Sequence, residues 1–184
     1  QLMIRSGVTM GAYGVGDRPL LRYSAGQENY PFHTASNRDI VVRDVHFRVE
    51  GGTAVLYTDA RGLIIDNVVM DGNTYNTFRG GHSGGMSDVR LLNSELSGAS
   101  DDGIWMMSTT DLEIAYTTIY DINRKWLTHG MDSGGDNVHL SAGFNRDTYV
   151  HHIRFDHSST GWKHIFIIFG DGQPQNFTFE HNLL

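Results

Sequence analysis

The sequence lacks cysteine, has few lysines and prolines, and contains no long hydrophobic run. Without cysteine the chain forms no disulfide bond, and this leaves its compartment open. The longest apolar run, Ile165 to Phe169, has the length of a strand and is too short to span a membrane. The basic residues number 14 and the acidic residues 21, so the formal net charge is −7. This excess of negative charge argues against a nucleic-acid backbone as partner.

Helical periodicity is also missing, because no stretch sustains apolar residues at i, i+3, i+4 and i+7. The 22 glycines against 3 prolines indicate many tight turns rather than disorder. A chain of 184 residues without a break in composition predicts one domain, 1–184, that is large enough to bury a core. The chain begins with Gln and shows no signal peptide, so we expect any export signal to lie outside this sequence.

A repeated pattern runs through the chain, and Ile40, Val42, Asp44 and Phe47 set its template. The copies are Leu63, Ile65, Asn67 and Met70; Val89, Leu91, Asn93 and Leu96; Leu112, Ile114, Tyr116 and Ile119; Ile153, Phe155, His157 and Thr160; and Phe177, Phe179, His181 and Leu184. The first positions lie 23, 26, 23, 41 and 24 residues apart. A repeat of this length, rich in strand formers and turn residues, indicates a solenoid whose coils stack around one core.

Each copy opens with strand-like alternation, which places Ile40 and Val42 on one face of the strand. A second strand precedes most copies, predicted at Ala54–Tyr57, Gly103–Met107, Asn137–Leu140 and Lys163–Phe169. One coil per repeat makes equivalent strands parallel, so the sequence predicts a parallel β-helix. The polar third position of each copy predicts a ladder of side chains at a coil corner, which we interpret as scaffold because every corner needs hydrogen bonds.

The segment from Asp102 to Ile119, DGIWMMSTTDLEIAYTTI, resembles the parallel β-helix repeat of the pectate-lyase-like superfamily. That repeat usually reads D-G-I, a short strand, a turn and N-V-x-I-x-N-x-x-I, and the likeness covers nearly the whole chain from Val8 onward. The resemblance implies an all-β, right-handed, single-stranded parallel β-helix of about seven coils. Because the usual capping helix is absent and the last copy ends at Leu184, we expect a fragment of a longer helix. Its open ends would take missing chain segments or an oligomeric partner.

The outward face of the preceding strands is predicted to carry aromatic and imidazole rings. If Ile104 and Met106 point inward, strand alternation places Trp105 outward. The same reasoning gives an exterior surface of Tyr57, Trp105, His139, His164 and Phe166. Such rings suit sugars, which offer an apolar face and a rim of hydroxyls. The alternative is that a long loop or a neighbouring subunit covers them.

Carboxylates cluster at the rim of that face, where Asp101 and Asp102 precede one strand and Asp136 precedes the next. Neighbouring carboxylates can divide into an acid and a base. Asp102 and Asp136 can also bind a hard cation such as Ca²⁺. SDDGI is similar to the aspartate pair of the polygalacturonase branch, although only Thr128-His129-Gly130 approximates its G-H-G motif and its R-I-K is absent. Asp102-Gly103 can equally be a simple turn. No H-E-x-x-H or cysteine spacing predicts a catalytic zinc.

The longest gap between copies contains Asp121 to Asp136, DINRKWLTHGMDSGGD. Long loops on a rigid scaffold concentrate function, and this one mixes basic, aromatic and acidic groups. β-Elimination of a uronate polymer needs a base for the C5 proton and a cation near the carboxylate. Lys163 or His129 can be that base, Arg124 or Lys125 the cation, and Trp126 can contact sugar. A solvated loop with ordinary surface charges is the competing interpretation. A Gly-rich loop from Gly72 to Gly85, with Arg79 and His82, is predicted to wall the same groove.

Three hypotheses follow. The first is an extracellular or periplasmic enzyme that cleaves an acidic, uronate-containing polysaccharide by β-elimination. The second is a polygalacturonase-like glycoside hydrolase using Asp101 and Asp102. The third is a non-catalytic carbohydrate-binding or structural solenoid, such as a spike or adhesin segment.

Overall fold

The computed structural model describes residues 2–24, 30–81, 85–123, 135–141, 145–156, 164–168 and 175–183. Every regular element in these residues is a β-strand, and every strand pairing is parallel. Among them there is no helix long and apolar enough to cross a membrane.

The chain visits three sheets in strict rotation, so each sheet gains one strand per turn over about six turns. Sheet A contains β1 (Leu2–Met3), β4 (Phe32–His33), β7 (Ala54–Thr58), β10 (Asn76–Gly80), β13 (Ile104–Met107), β16 (Val138–Ser141) and β19 (Phe166–Ile168). Sheet B contains β2 (Thr9–Gly11), β5 (Arg38–Arg43), β8 (Arg61–Asp66), β11 (Met86–Leu92), β14 (Thr109–Ala115), β17 (Arg146–His151) and β20 (Gln175–Glu180). Sheet C contains β3 (Leu20–Ser24), β6 (His46–Glu50), β9 (Val69–Asn73), β12 (Glu95–Ser97), β15 (Thr118–Tyr120) and β18 (Arg154–Asp156). The predicted parallel β-helix is therefore confirmed.

The core lies inside the tube formed by the three sheets. Ile40 and Val42 of sheet B and Phe47 of sheet C are fully buried, as the repeat predicts. In sheet B the register aligns Ile40 with Leu63, and Leu63 with Val89, so equivalent residues of successive coils contact one another. This stacking joins all coils into a single hydrophobic cluster.

The corner between sheets B and C is a ladder of residues with positive φ. Asp44, Asn67, Asn93, Tyr116 and His181 have φ between 50° and 55°, the left-handed conformation that turns the chain. The Asn67 amide donates to the Asp44 carboxylate over 2.7 Å, so the side chains also bond from coil to coil. The predicted polar ladder is thus part of the scaffold.

The predicted fifth copy, starting at Ile153 with His157 at its corner, has the wrong register. Val150 aligns with Ile114, and the corner residue is His152, whose φ is 53°. The real copy was hidden because a polar residue, Thr148, occupies its first core position. Ile153 and Phe155 resembled a copy because they are apolar residues two positions apart. Both are indeed buried, but Phe155 pairs with Ile119 in sheet C rather than with a residue of sheet B. His157 lies outside the described residues.

Part of the predicted Gly72–Gly85 loop is also wrong, because residues 76–80 form β10 between β7 and β13. Phe78 is the one large apolar residue of this strand, and it is fully buried. Gly80 is needed for close packing, since an added Cβ would lie 2.5 Å from the Thr58 carbonyl oxygen of the neighbouring coil. Gly80 therefore marks a close approach between the backbones of neighbouring coils rather than a loop.

The outward orientation predicted for Phe166 is wrong as well. Phe166 pairs with Val138, an inward residue, and its ring centroid lies 4.9 Å from that of Phe177. The outward position of β19 belongs to Ile167, which pairs with His139. The prediction assumed that the strand begins near His164, so that His164 and Phe166 would point to the same side. The strand begins only at Phe166, and the position of His164 therefore does not fix the orientation of Phe166.

Candidate functional site

The outward face of sheet A carries one side chain from each coil along the axis of the helix. This axial column is His33, Tyr57, Arg79, Trp105, His139 and Ile167, each paired in register with the next. Neighbouring strands are about 4.8 Å apart, so residues distant in sequence become direct neighbours. The column contains three of the predicted binding residues, namely Tyr57, Trp105 and His139.

Arg79 and Trp105 form the centre of the axial column. The Arg79 guanidinium carbon lies 4.2 Å from the Trp105 ring centroid, a cation–π contact. The same guanidinium donates to the Asn76 side-chain oxygen over 3.1 Å. Trp105 in turn meets His139 edge-on, with ring centroids 6.5 Å apart. The cation is therefore held in a fixed position between an aromatic ring and an amide.

His139 is held by two carboxylates at the rim where β13 and β16 begin. Its Nδ1 lies 3.5 Å from Asp102 Oδ2 and 3.6 Å from Asp136 Oδ2. Both carboxylate side chains are buried, at 5% and 9% exposure. Asp102 Oδ1 also accepts the Asp136 backbone N–H over 2.9 Å. Asp102 is therefore more than a turn residue, because it joins two coils.

The carboxylates around His139 favour the charged form of its imidazole; we call His139 and Asp102 the dyad. Burial alone lowers the pKa of His139, but the hydrogen bond to Asp102 and the charges of Asp102, Asp136 and Asp101 raise it above the ordinary 6.5. The other ring nitrogen, Nε2, is buried and has no hydrogen-bond partner among the residues that the structure describes. A buried polar atom left without a partner is costly, and a catalytic role is one of the physical explanations for such an atom.

Of the remaining rim residues, His164 shares Asp136 with His139, whereas Asp101 bonds a different residue. His164, whose side chain is 69% exposed, places Nδ1 3.0 Å from Asp136 Oδ1 and lies at the rim rather than in the axial column. A hydrogen bond to Asp101, together with burial and nearby carboxylate charge, raises the pKa of the Tyr75 phenol to about 12. The aspartate that faces Asp102 is thus Asp136, while Asp101 bonds Tyr75.

Tyr57 is not an open platform for a sugar. Its side-chain hydroxyl donates to Asp59 over 2.7 Å, and its ring lies 4.3 Å from that of Tyr30. At 9% exposure it is nearly covered. The alternative interpretation, in which another part of the chain covers the aromatic face, therefore applies at this end of the axial column.

Five predicted site residues lie outside the described residues: Arg124, Lys125, Trp126, His129 and Lys163. Their proposed roles stay predictions. His82 of the predicted Gly-rich loop also lies outside the described residues.

One group of ligand atoms among the described residues is close enough to hold a metal ion. It comprises Asp102, Asp136 and His139, whose ligand atoms lie within 4.8 Å of one another. Ca²⁺ takes six or more oxygen ligands, so this set with a nitrogen fits it poorly. One oxygen of each carboxylate already accepts a backbone N–H. The role of Ca²⁺ stays a prediction.

Arg79 was predicted only as part of a loop that walls the groove, and Asn76 was not predicted as a site residue, because the sequence placed both in a loop rather than in β10. A signal existed in the spacing, since Arg79 precedes Trp105 by 26 residues, the same interval that separates Leu63 from Val89. Extending the repeat spacing to the preceding strand would have placed Arg79 on the column. The partners of Asp102 had no comparable signal, because Asp136 follows a long insertion.

These observations define a class, an all-β parallel solenoid with a buried imidazole–carboxylate cluster on one outer face. Neither a protein-family model, nor a curated protein, nor a solved structure matches the chain.

Proposed function

We propose that this protein is a carbohydrate-active enzyme that cleaves an acidic, uronate-containing polysaccharide by β-elimination along the axial column. The observation that carries the proposal is His139, held by Asp102 and Asp136 and aligned in register with Trp105. Arg79, one coil further, adds a positioned cation. Polymers of this kind lie outside cells, so the proposal includes an extracellular or periplasmic location.

The proposed reaction uses the two nitrogens of His139 for different tasks. The Nδ1–H group donates to the Asp102 carboxylate, which leaves the Nε2 lone pair of the neutral imidazole to act as the base. Nε2 takes the C5 proton, the C5–H electron pair forms the C4–C5 double bond, and the C4–O bond breaks. The leaving oxygen then receives the proton from Nε2, so atoms and charges balance.

Arg79 supplies the positive charge that this chemistry requires. Removing a proton beside a carboxylate builds negative charge on that carboxylate, and a fixed guanidinium stabilises it. The Asn76 amide and the Trp105 ring hold the guanidinium before substrate arrives, so little reorganisation is needed. Nε2 is shielded from solvent in the free protein. The proposal therefore requires the polymer to displace the atoms that cover it.

A second candidate, hydrolysis, is favoured by the closeness of Asp102 and Asp136. Their ligand oxygens lie within 4.8 Å of each other, near the roughly 5 Å separation of the two carboxyl groups in retaining glycosidases. The pair differs from the Asp101 and Asp102 pair that the sequence suggested.

The test is to incubate the protein with pectate, alginate and glycosaminoglycans, with added Ca²⁺ and with a chelator. We expect the absorbance of an unsaturated product to rise together with new reducing ends. New reducing ends without unsaturated product would select hydrolysis instead. If the protein binds a polymer but cleaves none of them under either condition, the result would exclude both enzymes and support the non-catalytic carbohydrate-binding solenoid.

Asp102→Asn is expected to shift the pH profile of the reaction. The raised pKa of His139 means that the neutral base forms only above the ordinary imidazole range. Asn keeps an acceptor oxygen but removes one of the three carboxylate charges that raise the pKa of His139, so the acidic limb of kcat/KM should move to lower pH. The maximal rate should fall about tenfold as the imidazole loses its orientation.

Asp88→Asn is the matched control, because Asp88 is an exposed carboxylate of sheet B paired with Arg90. The control should keep the wild-type profile. An acidic limb that stays in place in Asp102→Asn would argue that His139 is not the base.

A further inference from the structure

A cavity lies at the turn from sheet A to sheet B and is not used by the proposed reaction. It has a volume of about 270 Å³ and is lined by Ser36, Arg38, Asp59, Arg61 and Gly85. Arg38 and Arg61 open β5 and β8, and the two residues pair in register on adjacent coils. Both side chains are exposed.

The two guanidinium groups of this cavity have no partner in the described part of the chain, in contrast to several other arginines. Arg48 pairs with Asp71 over 2.7 Å and Arg90 approaches Glu113, whereas no hydrogen bond or ion pair joins the side chain of Arg38 or Arg61 to a described residue. Like charges directly opposite on neighbouring strands repel each other. Asp59 also lines the cavity, so its carboxylate offsets one of the two guanidinium charges and leaves a local excess of positive charge, in a chain of net charge −7, that an anion would stabilise.

The position of the cavity relates it to the axial column. Asp59 lines the cavity, and its carboxylate accepts a hydrogen bond from the hydroxyl of Tyr57, a column residue. Tyr57 pairs with Arg79, and Arg79 pairs with Trp105, so the cavity lies beside the column two coils from Trp105. Two coils span about 10 Å along the axis.

We propose that Arg38 and Arg61 bind a carboxylate of the acidic polysaccharide at a site remote from bond cleavage. The proposal rests on the proposed function for the identity of the ligand. Guanidinium groups recognise carboxylates through paired N–H donors, and two of them on adjacent coils give a fork wide enough for one carboxylate. A uronate polymer lying along the column would reach this cavity only if it is long enough to pass Arg79 and Tyr57.

The test compares the double variant Arg38→Gln/Arg61→Gln with the wild type on a long uronate polymer and on the shortest oligosaccharide that is cleaved. We expect KM for the long polymer to rise roughly tenfold with kcat unchanged, because one charge-assisted contact is lost. Kinetics on the short oligosaccharide should stay the same. Arg43→Gln, at the other end of β5, is the matched control and should change neither value.

Calorimetry separates this inference from the proposed function. It measures binding of a long oligouronate, its carboxyl-reduced form and inorganic phosphate to proteins carrying His139→Asn, with and without the double substitution. The inference is supported if the double substitution weakens oligouronate binding about tenfold while the carboxyl-reduced form binds equally to the two proteins. This result would support the inference even if the enzyme cleaves nothing. If the double variant still cleaves the long polymer and both its KM and its oligouronate affinity are unchanged, the inference is overturned while the proposed function stands. Phosphate binding as tight as oligouronate binding would also overturn it, by showing a general anion site.

Discussion

His139→Asn is expected to lower kcat/KM for the uronate polymer by about a thousandfold, since it removes the base of the proposed reaction. Asn places its amide nitrogen near the position of Nδ1, so the donor to Asp102 is kept while the titratable Nε2 is lost. The measurement is the initial rate of unsaturated product formation at the optimal pH of the wild type. Thermal unfolding of the variant, followed in parallel, shows whether it remains folded.

His181→Gln serves as the matched control for the loss of an imidazole. His181 lies at the corner between sheets B and C, where its ring stacks on His152 with centroids 5.2 Å apart. The control should retain wild-type activity. A folded His139→Asn protein that cleaves the polymer within a few-fold of the wild-type rate would remove His139 from the mechanism, and with it the dyad as the catalytic centre.

Gly81→Ala is expected to destabilise the protein by about 3 kcal/mol or more, because two coils touch through the backbone at this glycine. Gly81 has φ of 80°, and an added Cβ would overlap the carbonyl oxygen of Met107 on the next coil. The carbonyl cannot move without disturbing the pairing of β13, so the overlap has no cheap relief. Urea denaturation followed by circular dichroism measures the loss, which should lower the midpoint of thermal unfolding by roughly 10 °C.

Gly7→Ala isolates the contribution of the overlap. Gly7 has a similar φ of 70°, but nothing lies within 4 Å of an added Cβ. This variant should lose only about 1 kcal/mol, the cost of the left-handed backbone for alanine. Equal losses in the two variants would show that backbone conformation alone, rather than contact between coils, sets the requirement for glycine.

The solenoid could be predicted from the sequence because its core positions recur along the chain. Ile40, Leu63 and Val89 are equivalent residues of successive coils, and the interval between them encodes the stacking directly. The prediction failed where a coil departs from the apolar pattern. Thr148 replaces an aliphatic residue in the core and hid the true fifth copy. Phe78 is the only large apolar residue of β10, so that strand resembled a loop.

The candidate site was predictable only in part. Strand alternation alone places Trp105 and His139 on the same outer face, and the structure pairs them in register. The contact of His139 with Asp102 depends on how the insertion after β15 returns the chain to sheet A, which no local pattern encodes. The identity of the aspartate facing Asp102 is therefore a property of the tertiary structure, since residues 102 and 136 meet only after the coil closes.

Because each coil contributes one side chain to the axial column, the working surface of this protein is modular along one direction. Gaining or losing a coil away from β13, β16 and β19 would change how many units of the proposed polymer the surface can span, while leaving the neighbours of His139 as they are. Changing the length of a single bend would instead move one residue of the axial column sideways, so that it would no longer pair in register with its neighbours. Length of reach and chemistry can thus vary independently in a protein built in this way.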